Sequence, residues 1–229
     1  PYTTLFRSRG ISHDIRTPLS IVLGYASEIE DTVSLPEATR KQAGIIRRYS
    51  EKLKNLVADL NLTTKLEYSI QPLQKQKIDP VELARQVVSE VLNDGISELY
   101  ELELSEDNPG KNLSLVGDQA LLSRMLNNLI RNCIVHNPDG CTIQVSVGSC
   151  DAMCTFSVTD NGYGISEPQL NALNSGKDIS STQKQTGETE HGLGLKIVMQ
   201  IVKAHQGIIQ FADTIPHGLS IHISLPMKL

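Results

Sequence analysis

The residues best suited to chemistry in this chain fall in four short clusters. The first is Ser12-His13-Asp14-Ile15-Arg16-Thr17-Pro18-Leu19. An imidazole titrates near neutral pH, so a surface histidine is largely unprotonated there and able to act as a nucleophile. Ile11, Ile15 and Leu19 lie on an apolar seam, which puts His13 off the seam, on the solvent side of a helix. Thr17 follows one turn later on the same face. Pro18 lacks a donor and its ring crowds the Asp14 carbonyl, so a bend is expected beside the histidine. The second cluster is Asn128-Leu129-Ile130-Arg131-Asn132. Its two asparagines are one helical turn apart and project together. Their amide oxygens are hard ligands, suited to a Mg²⁺ ion that keeps several waters and also binds phosphates.

The third cluster, Asp160-Asn161-Gly162-Tyr163-Gly164-Ile165, follows an expected strand. A carboxylate there accepts from an exocyclic amine, and glycines let backbone approach a flat ligand. The fourth, Gly192-Leu193-Gly194-Leu195, opens an expected helix, and free N–H groups at a helix start suit phosphate. Each cluster alone also has a plainer reading: a surface histidine near a proline, a polar helix face, a turn-forming Asp-Asn-Gly, and a Gly-x-Gly without the third glycine and preceding strand of a dinucleotide fingerprint.

These clusters need elements to position them. Ile11, Ile15, Leu19, Val22, Ala26, Ile29 and Val33 recur at helical spacing, as do Ile45, Tyr49, Leu53, Leu56, Leu60 and Thr63. Ser34-Leu35-Pro36-Glu37 between them reads as a helix start. The spacing predicts a helical hairpin. Two such seams cannot be buried by one hairpin in water, so a homodimer forming a four-helix bundle is expected. Residues 71–78, interrupted by Pro72, read as a linker. From residue 79 the pattern is mixed. Helices are predicted from Asp79 to about Val91, over 118–135 and from Leu193 to Ala204. Strands are predicted near Leu99–Leu104, Asn112–Val116, Thr142–Val147, Met153–Asp160, Ile208–Ala212 and Leu219–Leu225, with the third and fourth as neighbours. Residues 174–191 are polar and apolar-poor, as in a functional lid.

Composition narrows the class. The chain has 229 residues, 39% of them hydrophobic and 4% aromatic, with no Trp and a net charge of −5. That supports a substantial Leu/Ile/Val core and offers no basic block for nucleic acid. No apolar run approaches the roughly 18–20 residues that span a bilayer. The four cysteines, Cys133, Cys141, Cys150 and Cys154, form no CxxC pair and read as buried reduced thiols. The chain begins at Pro1 and is read as a piece of a longer protein; residues 1–9 carry no usable periodicity.

In this order and spacing the four clusters resemble the sensor histidine kinases. SHDIRTPL looks like the family's H-box, NNLIRN its N-box, DNGYGI its first glycine box and HGLGL its second, while Gly218 through Leu225-Pro226 is similar to its final strand. The resemblance covers about Gly10 to Pro226. It implies a fold of α plus α/β sandwich: residues 1–70 as a dimerisation and phosphotransfer hairpin, 71–78 as linker, and 79–229 as an α+β ATP-binding domain of the Bergerat type. On that likeness His13 receives the γ-phosphoryl group of ATP, Asp14 orients it and takes its proton, and Thr17 places a water that dephosphorylates a partner. Asn128 and Asn132 hold Mg²⁺. Asp160 meets adenine, and Gly162, Gly164, Ile165, Gly192, Leu193, Gly194, Leu195 and Ser220 line the nucleotide site.

The partner implied is a response-regulator receiver domain. The location implied is the cytoplasmic portion of an inner- or plasma-membrane sensor. Hydrolytic ATPases of the same fold carry a Glu where this chain has Asn128, and an amide is no general base. The chain departs from the family at Val135, where a basic residue is usual, and at Leu170 and Leu173, where a Phe-rich box is expected. Phosphate neutralisation then falls to His136, or to Lys177 and Lys184. The alternative implied by these departures is a nucleotide-sensing scaffold or a phosphatase-dominant core.

Overall fold

The computed structural model of the chain describes the backbone of residues 2–67, 72–107, 112–175 and 191–228, with side chains from Ile15 and, in the last helix, from Leu193. The chain divides into two compact units, Pro1–Tyr68 and Ser69–Leu229.

The first unit is a hairpin of α1 (Tyr2–Asp31) and α2 (Glu37–Glu67). Residues 2–9, without usable periodicity in the sequence, continue α1 at its start. The helix also runs on through Pro18. Amide N–H groups of Thr39 and Arg40 donate to the Pro36 carbonyl, so α2 starts just after the proline instead of enclosing it. The expected seam of α1 divides into two lines. Leu19, Leu23, Ala26 and Glu30 are buried or half-buried, whereas Ile15, Val22, Ile29 and Val33 are exposed. In α2 the buried residues are Ala43, Ser50, Thr63 and Leu66, while Ile45, Tyr49, Leu53 and Leu60 are exposed. Small side chains, together with Leu19, Leu23 and Leu66, therefore close the hairpin, and many of the large apolar ones face outward. A half-buried Glu30 braces the turn end. It accepts from Arg47 Nε at 2.6 Å, and its backbone carbonyl accepts from Arg40 Nε at 2.9 Å. The Arg47 bond holds its carboxyl below the usual range.

The second unit opens with β1 (Gln76–Ile78), inside the stretch read as linker. It pairs antiparallel with β3 (Leu115–Gly117). A three-residue strand has too few positions to show alternation, so the sequence hides it. α3 (Pro80–Asn93) is capped by Asp79, whose carboxylate accepts from the amides of Val81 and Glu82 at 2.9 and 3.1 Å. The main sheet has five strands in the order β2-β4-β5-β7-β6, with β2 (Tyr100–Glu106), β4 (Cys141–Cys150), β5 (Met153–Asp160), β6 (Ile208–Asp213) and β7 (Leu219–Pro226). Only β2 and β4 are parallel. β4 and β5 are neighbours, as the alternation predicted.

One sheet face carries Ile143, Val145, Val147, Phe156, Val158, Ile221 and Ile223. It is covered by a layer containing α4 (Gln119–His136) and α6 (His191–Ala204), which bring Leu122, Met125, Leu126, Leu129, Ile130, Ile197, Val198 and Ile201. Each of these apolar side chains is essentially removed from water, the main favourable term in folding. Gln144, Ser157, Thr159, Ser220 and His222 form the opposite, polar face, giving the two-layer α/β sandwich. A short α5 (Glu167–Asn174), absent from the sequence reading, starts at a Ser166–Gln169 capping box.

α4 and α6 run antiparallel and are pinned at one end by a long-range bond. The Asp118 amide donates to Nε2 of the fully buried His205 at 3.0 Å, and His205 Nδ1 lies 2.8 Å from the Ile201 carbonyl. That arrangement needs a neutral imidazole, and burial lowers its pKa. Three cysteines are buried, with Cys154 pushed up to about 12 by burial, but Cys150 is exposed at the β4–β5 turn, correcting the expectation that all four are buried.

Candidate functional site

His13 and Asp14 belong to α1, and their side chains lie outside the described residues. Thr17, one turn on, is exposed. In the second unit the clusters gather along α4. Asn132 Oδ1 meets the first described turn of α6, where a Cβ on Gly194 would sit 3.4 Å from it. Asn128, one turn earlier, is half-buried, and its Nδ2 is buried without a hydrogen-bond partner among the described residues. Such an orphaned group is costly unless something polar meets it. An amide has a donor and an acceptor end, so Asn128 and Asn132 together fit either phosphate oxygens or a hydrated divalent cation. Arg124 precedes Asn128 by one turn, and burial lowers its pKa. His136 closes α4 and is exposed, as is Val135.

Asp160 ends β5 and is 6% exposed. One carboxylate oxygen accepts from the Gly162 amide at 3.0 Å. Cys133, on α4, is buried as well. Burial first, and then the charge of Asp160, push the Cys133 pKa well up, so the thiol stays protonated. Among the described residues, no ion pair involves Asp160. The next residue, Asn161, zips to β4: its amide donates to the Thr142 carbonyl at 3.3 Å and its Oδ1 accepts from the Thr142 amide at 2.8 Å. Gly164 has φ +68° and Gly218 φ +128°, and their backbones pack together, so both positions require glycine. Ile165 is half-buried beside them.

One expected contributor lies elsewhere. Ser220 pairs with Thr159 in register and therefore points to the polar sheet face, while Asp160 points to the helix layer. Its hydroxyl lies 2.7 Å from that of Thr159 and 2.9 Å from His222 Nε2. The structure thus removes Ser220 from the Asp160 side. Lys177, Lys184 and most of the lid, 176–190, lie outside the described residues. Gly192, Leu193, Gly194 and Leu195 form the first turn of α6, with both leucines half-buried.

One residue went unread in the sequence. Asn137, at the C-terminal end of α4, is 3% exposed. Its Nδ2 donates to the Cys133 carbonyl at 2.8 Å, and its Oδ1 accepts from the Tyr163 amide at 2.9 Å. The Tyr163 hydroxyl in turn donates to Asp139. Asn-Pro-Asp-Gly reads from sequence as a plain turn, which concealed it.

Comparison with known proteins gives two family matches. Residues 8–69 match the His Kinase A (phospho-acceptor) domain, and residues 117–229 match the family of histidine kinase-, DNA gyrase B- and HSP90-like ATPases. The sensor histidine kinase YvrG of Bacillus subtilis is 30% identical over 203 residues, covering 87% of this chain and 34% of that protein. A probable sensor histidine kinase of Mycobacterium tuberculosis, TcrY, is 30% identical over 218 residues, covering 94% of this chain and 44% of that protein. The chain therefore spans less than half the length of these relatives. Among solved structures, full-length ShkA in complex with AMPPNP shares the fold, with a TM-score of 0.76 and 23% identity over 96% of this chain and 45% of that one.

Proposed function

Because the chain belongs to the sensor histidine kinases, we propose that it is the catalytic core of one: it binds ATP in the second unit, phosphorylates His13, and passes the phosphoryl group to an aspartate of a response-regulator receiver domain. The observation that carries this is Asp160. A buried carboxylate without a cation is expensive, and the bond it accepts from one backbone amide among the described residues leaves it suited to a further donor. The exocyclic amine of adenine is such a donor. From there α4 leads one turn at a time to Asn132 and Asn128, where the phosphates would lie against the N-terminal turn of α6.

In the transfer step one ring nitrogen of His13 attacks the γ-phosphorus in line. The P–N bond forms as the bond to the β–γ bridging oxygen breaks, and ADP leaves. Asp14 accepts the ring proton, a role that rests on the family likeness. Mg²⁺, held by Asn128 and Asn132, would neutralise charge on the phosphates. Asn128 itself gives water no general base, which favours transfer over hydrolysis. Thr17, exposed beside His13 on α1, would position the water that removes phosphate from the regulator.

The outward apolar lines of the hairpin support a homodimer through a four-helix bundle. Among the described residues, no helix is long and apolar enough to cross a membrane. Attachment to a membrane would rest on other segments. The test is incubation with γ-phosphate-labelled ATP. Label should appear on the protein, stable to base and labile to acid, and disappear in His13→Ala. Equal labelling of that variant would overturn the assignment.

A further inference from the structure

We propose that Asn137 is a positioning residue for the nucleotide: a buried bracket that fixes the Asp160–Gly164 loop, and through it the choice of adenine over guanine. The inference rests on the reading of Asp160 as the base-binding carboxylate.

Both ends of the Asn137 amide are committed. Nδ2 donates to the Cys133 carbonyl at 2.8 Å, and Oδ1 accepts from the Tyr163 amide at 2.9 Å. Reversing the amide would set oxygen against carbonyl and NH₂ against N–H, so the partners determine its orientation. Gly162 lies directly over the amide, and a Cβ there would fall well inside van der Waals contact with Oδ1, Cγ and Nδ2. The end of α4 therefore grips the loop through Asn137. Asn137 is anchored on the Cys133 carbonyl and holds Tyr163. With Gly162 also bonded to Asp160, the carboxylate is tied to a helix buried in the core.

That rigidity has a chemical consequence. Adenine offers an amine to the carboxylate. Guanine offers a carbonyl oxygen at the same edge, which repels it. Rejection of guanine depends on a carboxylate that does not yield, because a loose loop can swing away from the repulsion.

The test uses the whole chain, with ATP and GTP binding measured by calorimetry in the presence of Mg²⁺. Asn137→Ala should weaken ATP binding by about tenfold, the order expected from two lost hydrogen bonds, and weaken GTP binding less, so that the ATP-to-GTP ratio falls. Labelling of His13 at saturating ATP should be retained, so KM rises while kcat holds. Gly162→Ala should be as damaging alone, yet add little in the Asn137→Ala background, because its clash is with that side chain. Asn137→Ser, which keeps a polar group and less volume change, should give an intermediate ratio, and it carries the test if the alanine variant does not fold. An unchanged ATP-to-GTP ratio, or additive losses in the double variant, overturns the proposal. Absence of ATP binding by the parent chain overturns instead the nucleotide reading on which it rests.

Discussion

The two units spend similar apolar side chains in opposite ways. In the sheet unit Leu122, Leu126, Leu129, Ile130, Ile143 and Ile223 are wholly withdrawn from water. In the hairpin the buried apolar residues are Ala26, Ala43 and Leu66, while Ile45, Leu53 and Leu60 stand about half exposed. The sheet unit closes its own core because strands and helices present two complementary layers. A pair of helices has only one shared face, and here small residues and a few leucines fill it. The larger side chains are left on a surface that only another helical pair can cover. Stability should accordingly be a property of one chain in the sheet unit and of chain concentration in the hairpin.

The comparison can be broken most decisively at the hairpin. Leu53→Glu places a charge on the exposed line of α2 and should abolish association, seen in sedimentation equilibrium as a fall from dimer to monomer mass. The nucleotide affinity of the sheet unit should be unchanged. A parent chain that sediments as a monomer with a concentration-independent melt would remove the distinction. The next effect lies in the other unit. Ile130→Ala empties a fully buried position and should cost about 2–5 kcal/mol in denaturant unfolding, without altering the mass.

The smallest effect sharpens the comparison through pH. Burial lowers the His205 pKa below its ordinary 6.5, so the unfolded chain binds the proton more readily than the folded one. Stability from this group is complete above about 6.5 and is lost as pH falls through the folded-state value. Urea unfolding of the sheet unit should show that decline between pH 7.5 and 5.5, and His205→Gln should flatten it.

Much of this was legible along the chain. The His13, Asn128/Asn132 and Asp160 clusters stand out because their chemistry depends on residue type at a local spacing. The helix start at Asp79 reads correctly for the same reason. The place of Ser220 is also written locally. Ile221, Ile223 and Leu225 alternate with Ser220, His222 and Ser224, and that parity alone sets Ser220 on the polar face. β1 and α5 escaped because three and eight residues are too short to display a period.

Periodicity, caps and turn residues are local properties, so the sequence by itself determined a helical hairpin, an α+β unit and the order of four chemical clusters. It determined the apolar seams but not how they divide, since a helix face does not say which of its lines meets its own partner. Tertiary structure alone decided that Ile15, Val22 and Ile29 face outward, and that the strands order as β2-β4-β5-β7-β6. It alone decided that Asp118 finds His205 across 87 positions and Asn137 finds Tyr163 across 26. The physical reason is that a buried polar group must be satisfied by whatever the packing brings beside it, and that neighbour can lie anywhere in the chain.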